Sequence, residues 1–388
     1  MKIEDLLKDE ELRRRHFPIV RHQTFLAHAA VCPLSQAAVD ALHGFGEHAT
    51  HQHQEAGGMM MQMDRVRDVA GRLTGAKASE IALLGPTALG LNLVALGFPW
   101  KEGDEVLYHA DDYPTNVYPW TSLEARGVRP VALQPSEPGK IDWPLVEAAL
   151  TPRTRMVALA SAHFLTGFRI DVAEIGKRLQ DRDIRFCLDA IQTLGSFPTP
   201  LDHVDYASAD SHKWLLGPMG AGIFYVKESR QAELEPVLRG SWNVYSPEFI
   251  AQREIEYYPG ARRYEPGSLN LPGNLAMEAS MVLIEEIGIE AISRRLLDLR
   301  QGVIAALEGA GLSIYPQGWG DEQAAGMVSF TIPAAHHSQL LQRLEDEQIV
   351  VSIRQTREGQ PLLRVSPHFY NTEEEIERLG AVVKNTLR

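Results

Sequence analysis

Cys187-Leu-Asp-Ala-Ile-Gln-Thr-Leu-Gly195, with Ser208-Ala-Asp-Ser-His-Lys-Trp-Leu-Leu-Gly217 after it, decides how the rest of the chain is read. The first stretch begins inside Ile184-Arg-Phe-Cys-Leu188, a short apolar run that ends in a carboxylate, Asp189. A buried parallel strand is expected there, delivering an acid to the carboxyl end of a sheet, where ligands of open α/β sheets bind. Val204-Asp-Tyr-Ala-Ser-Ala209 reads as a second short strand, ending at Asp210, Ser211, His212 and Lys213. A lysine between a histidine and a tryptophan, in an otherwise apolar segment, is costly to bury as an ammonium. Converting it to an imine removes that cost.

Asp189-x-x-Gln192, a strand, and then Ser211-His-Lys-Trp-Leu-x-Gly-Pro-x-Gly-x-Gly222 together resemble the pyridoxal 5′-phosphate (PLP) site of the class V aminotransferase family. That family includes cysteine desulfurases, selenocysteine lyases, kynureninases and isopenicillin-N-epimerase-like enzymes. The resemblance implies that Lys213 forms the imine with the cofactor and that Asp189 keeps the pyridine nitrogen protonated. It further implies that Gln192 bonds the phenolic oxygen and that Ser211 and His212 belong to the cofactor site. The residue types suit the chemistry. A lysine can lose its proton and later act as base, and a carboxylate keeps the ring an electron sink. Singly, Asp189 or Lys213 fits a buried ion pair as well. Their joint spacing is what points to PLP.

The 388 residues suffice for two or three domain-sized units. Hydrophobic content of 44% with 23% charged residues is ordinary for a globular chain, and no apolar run reaches membrane-spanning length. The net charge of −13 argues against nucleic acid and anionic membranes as partners. Two distant cysteines, Cys32 and Cys187, offer neither a disulfide framework nor zinc spacing. The charged start is unlike a signal peptide, so a cytoplasmic protein is expected.

Further along, Gly85-Pro-Thr-Ala-Leu-Gly-Leu-Asn92 follows a strand and opens a helix, whose free N–H groups suit a phosphate. The resemblance puts the PLP phosphate here, at Thr87 and Ala88; relatives often carry a second hydroxyl where this chain has Ala88. Tyr113 matches the residue that stacks on the pyridine ring, with His109 in reserve. Relatives put a cofactor-contacting asparagine near Phe164; this chain lacks it, and the resemblance leaves His163 as the substitute cofactor contact. Arg262-Arg-Tyr-Glu-Pro-Gly-Ser268-Leu-Asn270 is similar to a segment that reaches the neighbouring subunit's phosphate, which implies a homodimer with shared sites and a role for Ser268. Arg364-Val-Ser-Pro-His-Phe-Tyr-Asn-Thr-Glu-Glu resembles the family's carboxylate-binding segment, so Arg364 is expected to clamp the α-carboxylate of a small amino-acid substrate. Desulfurases carry a catalytic cysteine on the loop before this arginine. Here the loop is Arg354-Gln-Thr-Arg-Glu-Gly-Gln-Pro361, without one.

His43, His48, His51 and His53 cluster in sequence, and on a helix His48 and His51 would share a face. They read as a polar helix end near the mouth of the site. No metal is expected. Met59-Met-Met-Gln-Met63 reads as adaptable packing.

The resemblance implies an α/β protein of PLP-dependent fold-type I. A large domain over 23–265 would hold a mostly parallel, seven-stranded-type sheet between helices. A smaller α+β domain would follow over 266–388, with residues 1–22 as an arm packed on it. Transamination is the first expectation, since it needs only Lys213 and the clamp. Lysis of a Cβ–S, Cβ–Se or Cβ–Cγ bond, or epimerisation, is the alternative, and a non-catalytic PLP-binding protein the reading of another class.

Overall fold

The computed structural model describes residues 1–316 and 318–388. Its central sheet has seven strands, in the spatial order β2 (Ile81–Leu84), β8 (Gly222–Val226), β7 (Tyr206–Asp210), β6 (Arg185–Asp189), β5 (Thr154–Ala160), β3 (Glu105–His109) and β4 (Arg129–Leu133). The strands β3 to β7 run parallel, and β8 alone opposes both of its neighbours. The expected mostly parallel sheet between helices is what forms.

Alternation along the strands feeds two cores. Val157, Leu159, Phe186 and Leu188 enter the core beneath α4 (Met59–Thr74), α7 (Trp143–Ala149) and α8 (Val172–Gln180). Met156, Ala158 and Cys187 enter the other, beneath α5 (Thr87–Gly97) and α6 (Tyr118–Thr121). With both faces covered, the middles of these strands are largely apolar and their charged groups stand at the ends, Glu105 and Arg185 at the amino ends and Asp189 and Asp210 at the carboxyl ends.

Helix starts follow local chemistry. The Ser35 hydroxyl accepts from Ala38 N and caps α3 (Gln36–His51), Asp171 caps α8, and Thr372 with Glu375 forms a capping box on α12 (Glu373–Leu387). The first sixteen residues form two helices, α1 (Ile3–Lys8) and α2 (Glu10–His16), because Asp9 turns extended and caps the second. Helix α4 starts at Met59, after Gly58 in the left-handed region. Met59 and Met63 extend its buried face toward Val66 and Ala70.

After α9 (Leu271–Ile287) and α10 (Ile289–Glu308), an antiparallel sheet runs in the order β12 (Ser352–Gln355), β13 (Pro361–Val365), β10 (Val328–Thr331), β9 (Ser313–Tyr315). It shares a core of its own with α10, α11 (His337–Asp346) and α12. The chain divides its strands near residue 351. Ile349–Val350 (β11) pairs in parallel with β1 (Thr24–Phe25), while β12 joins the four-stranded sheet. Arg13 of α2 donates to the Tyr370 carbonyl and to Glu375, tying the N-terminal helices to the C-terminal segment. Among the described residues no helix is long and apolar enough to cross a membrane.

Candidate active site

A cavity of about 260 Å³ opens between the carboxyl ends of the large sheet and the edge of the four-stranded sheet. Asp189, Gln192, His212 and Lys213 line it, as do Thr87, Ala88, Tyr113 and Arg364. Eight residues singled out in the sequence thus converge on one space.

Lys213 is held by its backbone surroundings. Leu216 N donates back to its carbonyl at 3.2 Å, with Leu216 itself at a φ of 57°. Gly217 N reaches the Ser211 carbonyl, Cys32 N the His212 carbonyl, and His368 Nε2 the Trp214 carbonyl. A non-glycine residue in the left-handed region costs of order 1 kcal/mol and persists where its surroundings over-determine it. The lysine therefore leaves the turn in one direction, into the cavity. Burial lowers its pKa to about 8, against the pull of Asp189.

Asp189 ends β6 and accepts from Ile191 N at 3.1 Å. Burial first, then the Asp112 charge, raises its pKa to about 7. Asp112 is itself buried, accepts from Tyr113 N at 2.7 Å and from Asn116 Nδ2 at 3.0 Å, and is pushed up to about 6 by burial. Burial thus pushes lysine and acid alike toward their neutral forms. Gln192 is fixed at both ends, its Oε1 accepting from Trp214 Nε1 and its Nε2 donating to the Ala29 carbonyl. That leaves one Nε2 hydrogen for a ligand.

The phosphate-sized end is built by α5. Gly90 lets this helix lie on β7, since a Cβ there would meet Ser208 Oγ at 2.4 Å. The approach brings the Thr87 hydroxyl within 3.0 Å of Asp210 N, from which it accepts, leaving its own hydrogen to donate. Pro86 supplies no side-chain cap, and the Thr87 and Ala88 N–H groups have no partner among the described residues. Asp210 takes His212 Nδ1 at 2.7 Å and so fixes the imidazole at the cavity wall.

Arg364, 1% exposed, donates to the Phe164 carbonyl and reaches Ser352 Oγ at 3.5 Å. Its Nε has no partner, and it forms no ion pair among the described residues. Burial, then Arg354, lowers its pKa to about 9. A buried cation so arranged asks for an anion.

Tyr113 is half exposed, with Lys213 Nζ 5.6 Å from its ring centre. His109, the reserve choice, is buried against His163 at 5.1 Å and does not line the cavity. His163 lies behind the wall too, occupied by Thr166 Oγ1 and the Asp111 carbonyl, while Phe164 beside it lines the space. The Ser211 hydroxyl donates to the Pro218 carbonyl instead of the cavity. Ser268 is exposed and lines no part of this chain's cavity. Sequence reasoning missed Arg354, Thr115 and the Ala29–Val31 turn, all of which line it. Of the four histidines, His43, His48 and His51 lie on α3 and His53 beyond it, and no group of three or more His, Cys, Asp or Glu among the described residues could hold a metal.

The donors fit PLP: free N–H groups and a hydroxyl for a phosphate, a buried acid for the ring nitrogen, an amide hydrogen, and a lysine of lowered pKa.

Comparison with known proteins agrees. A family model described as Aminotransferase class-V matches residues 24–379. Isopenicillin N epimerase of Streptomyces clavuligerus is 30% identical over 371 residues, 90% of this chain and 91% of that protein. A probable cysteine desulfurase of Methanothermobacter thermautotrophicus is 27% identical over 393 residues, 96% of each. The apo cysteine desulfurase from Thermococcus onnurineus NA1 superposes with a TM-score of 0.88 at 24% identity, covering 97% of both chains. The cystine C–S lyase C-DES, in complex with its product cysteine persulfide, gives 0.86 at 22% identity, covering 95% of this chain and 99% of that one. At these identities the two structures speak to the fold alone.

Proposed function

The chain belongs to the class V aminotransferase family, whose cofactor is PLP, and we propose that it is a lyase that breaks the Cβ–S bond of an amino acid and releases the sulfur in a small molecule. The observation that carries this reading is the meeting of Lys213 with Arg364, which has no ion-pair partner, in one cavity that no thiol lines among the described residues. When bound, PLP supplies an electron sink that makes the substrate's Cα proton removable.

Asp189 would hold the ring nitrogen, Thr87 and the α5 N-terminus the phosphate, and Gln192 the phenolic oxygen. Tyr113 would cover the ring. Arg364 takes the α-carboxylate through its planar fork, which orients Cα toward Lys213. The Lys213 amine, of lowered pKa, takes the Cα proton and can return it to the leaving group. In balance, R–S–CH2–CH(NH3+)–COO− and water give R–SH, pyruvate and ammonium.

A sulfur relay through the protein needs a reactive thiolate. Burial raises the pKa of Cys32 to about 12 and that of Cys187 well above the usual thiol range. This chemistry favours loss of sulfur to solution. Relatives named desulfurase support lysis over the transamination first expected. Epimerisation is the second reading, favoured by the 30% identity to isopenicillin N epimerase. The exposed Ser268 would complete the site of a second copy, and a cytoplasmic location belongs to the same reading.

The test is product analysis of purified PLP-loaded protein with cysteine, cystine and S-substituted cysteines. Pyruvate and ammonium are expected in equal amounts, with hydrogen sulfide from cysteine, a persulfide from cystine and a thiol from S-substituted cysteines. A keto acid that keeps the whole side chain would overturn lysis for transamination, and an intact D-amino acid would overturn it for epimerisation.

A further inference from the structure

The four-stranded sheet delivers a second arginine to the cavity. In the antiparallel pair β12–β13, Ser352 lies opposite Arg364 and Arg354 opposite Leu362. Side chains alternate along a strand, so Arg354 shares a face with Ser352 and therefore with Arg364. Diagonal neighbours of this kind stand roughly 7–8 Å apart, close enough for two long side chains to flank one ligand. Both guanidinium-bearing residues line the cavity.

The loop distinguishes them from a structural arginine nearby. Arg357 pairs with Asp111 at 3.0 Å and bonds the Ala110 carbonyl, fastening the loop to the large sheet. Arg354 bonds only the Ile353 carbonyl, at 3.1 Å, and forms no ion pair among the described residues. The one acid among the cavity-lining residues, Asp189, belongs to the other sheet. A substrate α-carboxylate balances Arg364 and leaves Arg354 unanswered.

We infer that Arg354 binds a second anionic group, so that the substrate is an amino acid whose side chain ends in a carboxylate, sulfinate or similar acid. The inference rests on the reading of this cavity as the site of an amino-acid enzyme. It adds what that reading leaves open, the character of the side chain.

The test titrates the cofactor absorption of the holoenzyme with isosteric pairs, glutamate against glutamine and S-carboxymethylcysteine against its amide. The acids are expected to act at concentrations roughly tenfold or more below the amides, the worth of one hydrogen-bonded charge pair. Arg354→Gln should erase that ratio and Arg354→Lys keep part of it. Because each variant is judged by its own acid-to-amide ratio, a general loss of binding cannot imitate the result. Equal response to acids and amides in the wild type, or a ratio that survives in Arg354→Gln, overturns the inference and leaves the enzyme reading standing. If no amino acid perturbs the spectrum, the enzyme reading fails and the inference falls with it.

Discussion

Two arginines are buried to nearly the same depth and live in opposite circumstances. Arg67 on α4, 3% exposed, donates to both oxygens of Glu265 at 2.7 and 2.9 Å and to Asp64 at 2.8 Å. Arg364 on β13, 1% exposed, meets a carbonyl and a distant hydroxyl. The first is an ion pair sealed during folding. Glu265 also accepts from Leu83 N, so the pair joins α4 to β2 and the segment before α9. The second is a charge taken out of water with neutral hydrogen-bond partners and no counter-charge among the described residues to repay the desolvation. Depth of burial does not separate structure from function here; the partner does.

The largest effect expected from this contrast is on stability. Glu265→Gln removes the charge opposite Arg67 while keeping an acceptor for Leu83 N. Equilibrium urea denaturation should show a loss of about 3 kcal/mol, because the buried cation loses its buried partner and keeps only the solvent-exposed Asp64 as counter-charge. Arg67→Met combined with Glu265→Gln should recover much of it. If the single variant were as stable as wild type, the distinction between the two arginines would collapse.

Arg364 should behave in the reverse way. Arg364→Gln is expected to lower kcat/KM by roughly 100-fold, about 2.7 kcal/mol of lost binding to the carboxylate. Its denaturation midpoint should stay level or rise, since an unpaired buried charge has been removed. A large stability loss with little kinetic effect would make Arg364 another structural arginine.

This contrast also explains what could be read from the sequence. Asp189 and Lys213 were legible because their joint spacing resembles a family pattern, and the short strands β6 and β7 set the two segments side by side. Gln192 follows three residues after Asp189 and inherits its position. Arg354 was illegible as a site residue. Its direction depends on where the segment 349–355 divides into β11 and β12, and on a register set across a hairpin. His163 failed for a related reason. The turn after β5 points Phe164 into the cavity and leaves the imidazole to Thr166 and Asp111. Side chains on loops answer to long-range packing that a strand-and-helix reading does not contain.

A smaller effect should appear with pH. His368 is buried, accepts from Phe369 N at Nδ1 and donates from Nε2 to the Trp214 carbonyl, so the neutral ring is locked in place. Burial lowers its pKa to about 4. Between about pH 6.5 and 4 the unfolded chain binds a proton here and the folded chain does not, so this residue makes stability fall as the pH falls through that window. Asp112 and Asp189, raised in the fold, act in the opposite sense and obscure the trend in the wild type alone. The comparison with His368→Gln cancels them. Wild type should lose roughly 2 kcal/mol more than the variant across the window in urea titrations of the cofactor-free protein. Parallel losses would mean that the ring is protonated in the fold.

The smallest expected change lies at the other end of the cavity, where the unpaired groups are donors instead of a cation. The first N–H groups of α5 and the Thr87 hydroxyl face the space, and Ala88 brings no side-chain polar atom to it. Ala88→Ser would add a second hydroxyl beside Thr87, at a helix position where serine costs little. One added hydrogen bond to a phosphate is worth about 1 kcal/mol, or roughly fivefold in affinity. PLP should therefore leave the variant more slowly on dialysis, while the cofactor-free proteins melt together, because the new group has a partner only when the ligand is there. Unchanged or faster release would place the phosphate away from Ala88. It would also remove α5 from the part of the molecule that folding leaves open for a ligand.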